Sequence, residues 1–556
     1  MIQLWIVLSV AIGSSVTNAV EVSTSSGTIR GTVLKSRLGD EFYAFRGIRY
    51  AKSPVGELRF KNPQPVEPWK PNVFDATTDG PQCPQQPFNS TDNSEDCLRL
   101  NVYSKSLKAN TLKPVVVYIH PGAFYVFSAL SKSFAGPEFL MDRDIVLVTI
   151  NYRLGALGFL ATGTSDAPGN AGLKDQVLAL RWVKDHIRNF GGNPNSVTLL
   201  GYSAGSVSVG FHMMSPMSRG LFHRGIAMSA SPIPLEKFPE NQLDLAKKQA
   251  ELVKCPTNNL DAMMKCLRTT PAEEFVKTFL DLYNLGYYML QVLEKDHGQE
   301  RFLIENPTEV YQEGRFQKTP LIIGMTKDEF VRIAKFMLED KELTRKFNSE
   351  WEIQAPIILK YERNTQKSKY ISTVLKSEYL KNQTLSSDIP FEPFGKLFSD
   401  AIIGFPVHRF AHLAARYVPV YYYRYSYRGR FSDFLYPGDT AYGSVHHDDL
   451  WYLLHNSFIS PIYSKIDPED KTVERLTRIV AQFATTGNPN NPKDDYLKNM
   501  NWKPLDLKKE NFLEIGDELV MKERLFLERF DIWKRLFPLE WKGLQCNGQS
   551  IDYPEV

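Results

Sequence analysis

The sequence predicts an α/β fold: a large, mostly parallel, twisted sheet with helices on both faces and a helical or loop cap region. Three observations predict it. Short unbroken apolar runs, as in strands buried on both faces, alternate with segments of helical spacing. One strand-to-helix junction carries Gly201-Tyr202-Ser203-Ala204-Gly205. Composition is ordinary for a globular chain, 43% hydrophobic and 23% charged over 556 residues, and no Gly/Ser linker, charge block or repeat divides it. A single domain over residues 20–556 is therefore expected, behind a leader of residues 1–19.

The leader is read from Leu4–Ile12, an apolar run shorter than the roughly 20 residues that cross a bilayer. Small residues follow, and Thr17-Asn18-Ala19 offers a cleavage site, although no Lys or Arg precedes the run. No later stretch is long and apolar enough to span, and the C-terminus carries neither a lipid-anchor tail nor a retention tetrapeptide. A secreted, extracellular product without a membrane anchor is expected. The net charge of +3 is spread along the chain, which leaves no footprint for nucleic acid. Five cysteines suit an oxidising compartment. Cys83 lies near Cys97 and Cys255 near Cys266, so two short disulfide loops are expected, with Cys546 left over. Asn89 and Asn382 are glycosylation sequons.

Along the chain, Glu21–Leu34 alternates around Gly27 and Gly31 and predicts a hairpin. Pro114–Ile119 and Asp144–Ile150 read as buried strands. Gly172–Asn189 carries Leu173, Val177, Leu180, Val183 and Ile187 on one helical stripe. Ser196–Leu200 then predicts a strand and Ala204–Met214 a helix. Pro320–Ile323 and Pro419–Tyr423 are later strands. The stretches around 235–315 and 335–400 are where a cap or gorge wall is expected.

The pentapeptide at 201–205 matches the nucleophile elbow of α/β-hydrolase folds. A serine on a sharp strand-to-helix turn stands above the sheet, and small neighbours let the backbone take that shape. Such a serine needs an oxyanion hole. His120-Pro121-Gly122-Ala123-Phe124 follows a buried strand as an HGGG-type loop, so Gly122, Ala123 and Ala204 are the expected N–H donors. Pro121 has no N–H to offer. It also needs a base and an acid, in the chain order serine, acid, histidine. His446 and His447 sit between Gly443 and the acids Asp448 and Asp449; Asp328 and Glu329 follow the Pro320 strand. The residues alone do not choose between the two histidines or the two acids.

Longer stretches carry a resemblance. Glu95–Tyr103 (EDCLRLNVY), Asn151–Gly155 (NYRLG), Phe190–Pro194 (FGGNP) and Phe483–Pro489 (FATTGNP) resemble the type-B carboxylesterase and cholinesterase family, most like the secreted β-esterases of insects. The resemblance covers nearly the whole mature chain. It implies a Ser203–Glu329–His446 triad, from the patterns G-x-x-K-D-E and G-x-x-H-x-D-D. It also implies disulfides Cys83–Cys97 and Cys255–Cys266, and structural ion pairs Arg59–Glu95 and Arg153–Asp175. Three departures stand out. Tyr202 occupies a place where most relatives have a glutamate, which works with a serine matching Ser229 to order the histidine. Pro121 replaces a glycine. Phe330 replaces the glycine after the acid, and His447 a small residue. The Cys83–Cys97 loop holds no tryptophan to bind a quaternary ammonium, which argues against a cholinesterase.

The resemblance implies a serine esterase that acts by acyl transfer on small to medium apolar esters and is acylated by organophosphates and carbamates. No zinc-ligand spacing is read, so neither metal nor cofactor is expected. The alternative is a catalytically impaired esterase-like protein that binds or sequesters its ligands. Oligomeric state and the physiological ester are not legible.

Overall fold

The structure is a computed structural model that describes residues 19–88, 91–107, 110–235, 238–239, 242–284 and 291–539. The chain opens with β1 (Val20–Ser23), β2 (Thr28–Lys35), β3 (Glu41–Arg49), β4 (Val73–Asp75) and β5 (Arg99–Ser104). β6 (Lys113–Ile119) and β7 (Val146–Ile150) follow, then the small pair β8 (Ala161–Thr164) and β9 (Ala167–Pro168). β10 (Gly192–Tyr202), β11 (Arg224–Met228), β12 (Leu321–Thr326), β13 (Val420–Tyr425), β14 (Asn511–Ile515) and β15 (Leu519–Glu523) complete the set.

Thirteen of these strands form one sheet in the order β1-β2-β3-β5-β7-β6-β10-β11-β12-β13-β14-β15, with β4 beside β2. From β7 to β14 every neighbouring pair is parallel. Antiparallel pairing holds the flanks, including the hairpin β1–β2, apart from the short parallel pair β2–β4. The reason is visible in β6. Val115, Val117 and Ile119 enter one core and Val116 and Tyr118 the other, so both faces need an apolar cover. The helices Ala171–His186 and Ala204–Met214 serve the first face, and Asp470–Thr486 serves the second. The expected helix to Asn189 ends at His186 and tightens into a 3-10 turn over Ile187–Phe190. The other expected strands lie within a few residues of their predicted positions.

Both of the stretches expected to form a cap carry helices. Leu243–Leu252, Leu260–Thr269 and Ala272–Lys277 lie in the first; Val331–Glu339, Lys341–Ser349, Trp351–Leu359 and Gln366–Leu380 lie in the second. A five-residue π turn, Asp400–Gly404, then runs into the helix Phe405–Ala414. Cys83 is bonded to Cys97 and Cys255 to Cys266, with Cα atoms 5.0 and 5.7 Å apart. Arg59 pairs with Glu95 at 2.5 Å, and Arg153 holds Asp175 at 2.7 Å in full burial. Asn382 is exposed just past the helix Gln366–Leu380. The leader through residue 18, Asn89 and Cys546 lie outside the described residues.

Candidate active site

β10 ends at Tyr202 and the next helix starts at Ala204, so Ser203 alone turns the chain. Its φ of 52° and ψ of −116° are costly for an L-residue. Neighbours hold it there. The Ser203 N–H donates to the Met228 carbonyl of β11 at 2.8 Å. The flanking glycines are steric requirements: a Cβ on Gly205 would stand 2.0 Å from the Ile119 carbonyl oxygen, and one on Gly201 2.0 Å from that of Gly205.

The loop after β6 has a run of positive φ angles. Gly122 sits at φ 108°, where a Cβ would lie 1.9 Å from the Val126 oxygen; Ala123 and Phe124 are left-handed too, at 52° and 67°. Tyr125 and Val126 both donate to the Gly122 carbonyl. Among the described residues no backbone carbonyl takes the N–H of Gly122, Ala123 or Ala204. Pro121 leaves that arrangement intact, and its carbonyl bonds His120 Nδ1 at 2.8 Å. His120 stacks on Tyr152, whose hydroxyl donates back to the His120 carbonyl.

The two adjacent acids separate. Asp328 Oδ2 accepts the Ser444 N–H at 3.2 Å, clamping one loop to the other. Glu329 turns the other way: Oε1 accepts the Thr326 N–H at 2.8 Å, and Oε2 meets His446 Nδ1 at 2.5 Å. The histidines separate likewise, because His447 Nδ1 faces Asp433 at 3.2 Å. Burial pushes the Glu329 carboxyl up, against the hydrogen bond from the Thr326 N–H, and pushes the His446 imidazole down. Their direct bond works against burial, since a carboxylate at Nδ1 favours an imidazolium.

Tyr202 is fully buried at the end of β10. Its phenol oxygen accepts the His447 N–H at 2.8 Å. It stands beside Asp449, which also accepts from Tyr423 at 2.9 Å. Burial, with the charges of Asp449 and Glu329, holds the phenol protonated. Ser229, left-handed and buried, lies next to both the Tyr202 phenol and the Glu329 carboxylate. Phe330, the other departure, packs its ring 4.6 Å from that of His446.

Sequence reasoning missed part of this support. Asp448 accepts from Val445 N–H, the Ser432 hydroxyl and Asp433 N–H, which shapes the histidine loop from inside. Asp433 sits in irregular chain with no motif around it; only folding brings it to His447.

Ser203, Ala123 and Ala204 open on a cavity of about 480 Å³. Phe124, Val207, Phe211, Phe238, Phe330 and Ile402 line it, and Ser231, Gln242, Gln291, Lys360 and Arg363 add polar groups. The π turn contributes Ala401, Ile402 and Ile403. The described residues thus unite a strained serine, a donor loop, a carboxylate–imidazole pair and an apolar cavity.

Comparison with known proteins bears on the family. The carboxylesterase family model matches residues 18–533. A juvenile hormone esterase of Tribolium castaneum is 33% identical, over 90% of this chain and 88% of its own length. Venom carboxylesterase-6 of Apis mellifera is 35% identical, over 88% and 92%. The crystal structure of juvenile hormone esterase from Manduca sexta, with OTFP covalently attached, superimposes with a TM-score of 0.83 at 28% identity, covering 93% of this chain and 99% of that one. The chain belongs to the carboxylesterase family and is a carboxylic-ester hydrolase.

Proposed function

We propose that this enzyme is exported under the direction of residues 1–19 and cleaves small to medium apolar esters with Ser203 as nucleophile. The observation that carries the reading is the Glu329–His446 bond at 2.5 Å in the same site as a left-handed Ser203. Glu329 holds the proton of His446 on Nδ1, so Nε2 is the basic nitrogen. His446 takes the proton of Ser203 as its Oγ attacks the ester carbonyl. The oxyanion is met by the N–H groups of Gly122, Ala123 and Ala204, each donor worth roughly 3–4 kcal/mol in such sites. His446 then protonates the leaving alcohol. Water activated by the same histidine releases the acid and restores the serine.

The lining supports apolar esters, because most of the cavity wall is aromatic or aliphatic. Organophosphates and carbamates present an electrophilic centre of similar size and are proposed to phosphorylate or carbamoylate the Ser203 Oγ, with loss of their leaving group.

The test is hydrolysis of short-chain p-nitrophenyl esters by wild type beside Ser203→Ala. Turnover in the first and none in the second is expected. A single stoichiometric burst would mark a sequestering protein, and activity retained in Ser203→Ala would overturn the assignment of the nucleophile.

A further inference from the structure

His408 and His412 stand one turn apart on the helix Phe405–Ala414. Glu510, immediately before β14, meets them from another part of the fold. One donor atom from each lies within 4.8 Å of the other two. His412 Nε2 is 3.7 Å from Glu510 Oε1, and the two imidazole rings are 3.9 Å apart. The pair carries no metal-site pattern in the sequence because its third member lies far along the chain.

Two features are unexplained by packing. His408 is only 3% exposed, yet neither of its ring nitrogens has a hydrogen-bond partner. Leaving such atoms unsatisfied is unfavourable, and the neighbouring Phe530 ring offers them no hydrogen bond. Second, His412 Nδ1 bonds the His408 carbonyl at 2.8 Å. A carbonyl only accepts, so Nδ1 carries the proton and Nε2 directs its lone pair toward Glu510. Metal-ligating histidines are commonly oriented by such a bond from their other nitrogen.

We propose that His408, His412 and Glu510 bind a divalent cation of the zinc class. Two neutral imidazoles and one carboxylate suit that class, with water to complete the shell. Ligand atoms at about 2.0–2.1 Å from zinc lie about 3.3 Å apart at the tetrahedral angle. The Glu510 side chain is partly exposed, so it can close from 3.7 Å while His412 keeps its bond to the His408 carbonyl. Lys534 now touches Glu510 at 3.4 Å, but Asp531 at the same distance offers it another partner. The ion would tie the approach to β14 to a helix whose Pro406 lines the cavity. None of the three lines the cavity at Ser203, so the role is structural.

The test uses full-length, untagged, chelator-treated enzyme titrated with Co²⁺ and then Zn²⁺. One Co²⁺ per chain is expected to give a visible d–d band that Zn²⁺ displaces, and Zn²⁺ to raise Tm by a few degrees. His412→Ala and Glu510→Gln, each at an accessible position, are expected to abolish the band and the Tm response while metal-free ester turnover stays within twofold of wild type. No band in wild type, or an undiminished band in both variants, would overturn the site.

Discussion

Replacing Glu329 by Gln tests the candidate triad through a tautomer rather than through packing. The carboxylate accepts twice, from Thr326 N–H at 2.8 Å and toward His446 Nδ1 at 2.5 Å. A glutamine of the same shape has one acceptor. If its oxygen keeps the Thr326 bond, its NH₂ faces Nδ1, which must then accept. The imidazole proton moves to Nε2, the atom assigned to take the proton of Ser203. The flipped amide sets two donors against each other at Thr326, in a site where Glu329 is 2% exposed. An unsatisfied buried group costs roughly 1–3 kcal/mol, so the first orientation wins. The corresponding swap in a serine-protease triad lowers kcat by roughly 10⁴, about 5.4 kcal/mol at 1.36 kcal/mol per decade. The same loss is expected here, with Tm nearly unchanged. The assay is steady-state hydrolysis of a p-nitrophenyl ester, normalised to folded enzyme. Asp328→Asn is the control. Its amide oxygen still accepts the Ser444 N–H, so activity should stay within a few-fold. A loss below about tenfold in Glu329→Gln, or an equal loss in Asp328→Asn, would refute the reasoning.

Other predictions follow from the same geometry. Tyr202→Phe removes the acceptor of the buried His447 N–H and a neighbour of Asp449, so a destabilisation of roughly 1–3 kcal/mol is expected by denaturant titration, with a smaller effect on kcat than Glu329→Gln. Gly205→Ala drives a Cβ to 2.0 Å from the Ile119 oxygen, and activity should vanish even in any fraction that folds, read by active-site titration. Burial pushes His120 down to about 4 and His212 to about 3. Below the ordinary value near 6.5 the unfolded chain takes protons the native state refuses. Stability is therefore full above that pH and falls as pH drops toward 4, by on the order of 2 kcal/mol per histidine at pH 5; Tm across pH 8 to 5 checks it. Removing the Cys83–Cys97 bridge by Cys→Ser at both positions should cost roughly 3 kcal/mol, measured as the change in ΔG of unfolding.

The core of the fold was legible because strands buried on both faces leave unbroken apolar runs, and β6, β7, β10 and β12 all do so. The elbow was legible because its backbone tolerates only small residues beside Ser203. The two flanks of the sheet, with their antiparallel strands, were less so, since half-buried alternation is a weaker signal. Choosing Glu329 over Asp328 and His446 over His447 needed family resemblance; in the folded chain Glu329 meets His446, whereas Asp328 meets Ser444 and His447 faces Asp433. Both adjacent pairs offer the same chemistry, and direction in space is what differs. Asp433 beside His447, and Glu510 beside His408 and His412, carry no local pattern at all. Periodicity and steric motifs are written in neighbouring residues, so the sequence by itself determined the sheet and the elbow. The partners of each polar side chain are set by contacts between segments far apart in the chain, and those only the tertiary structure decided.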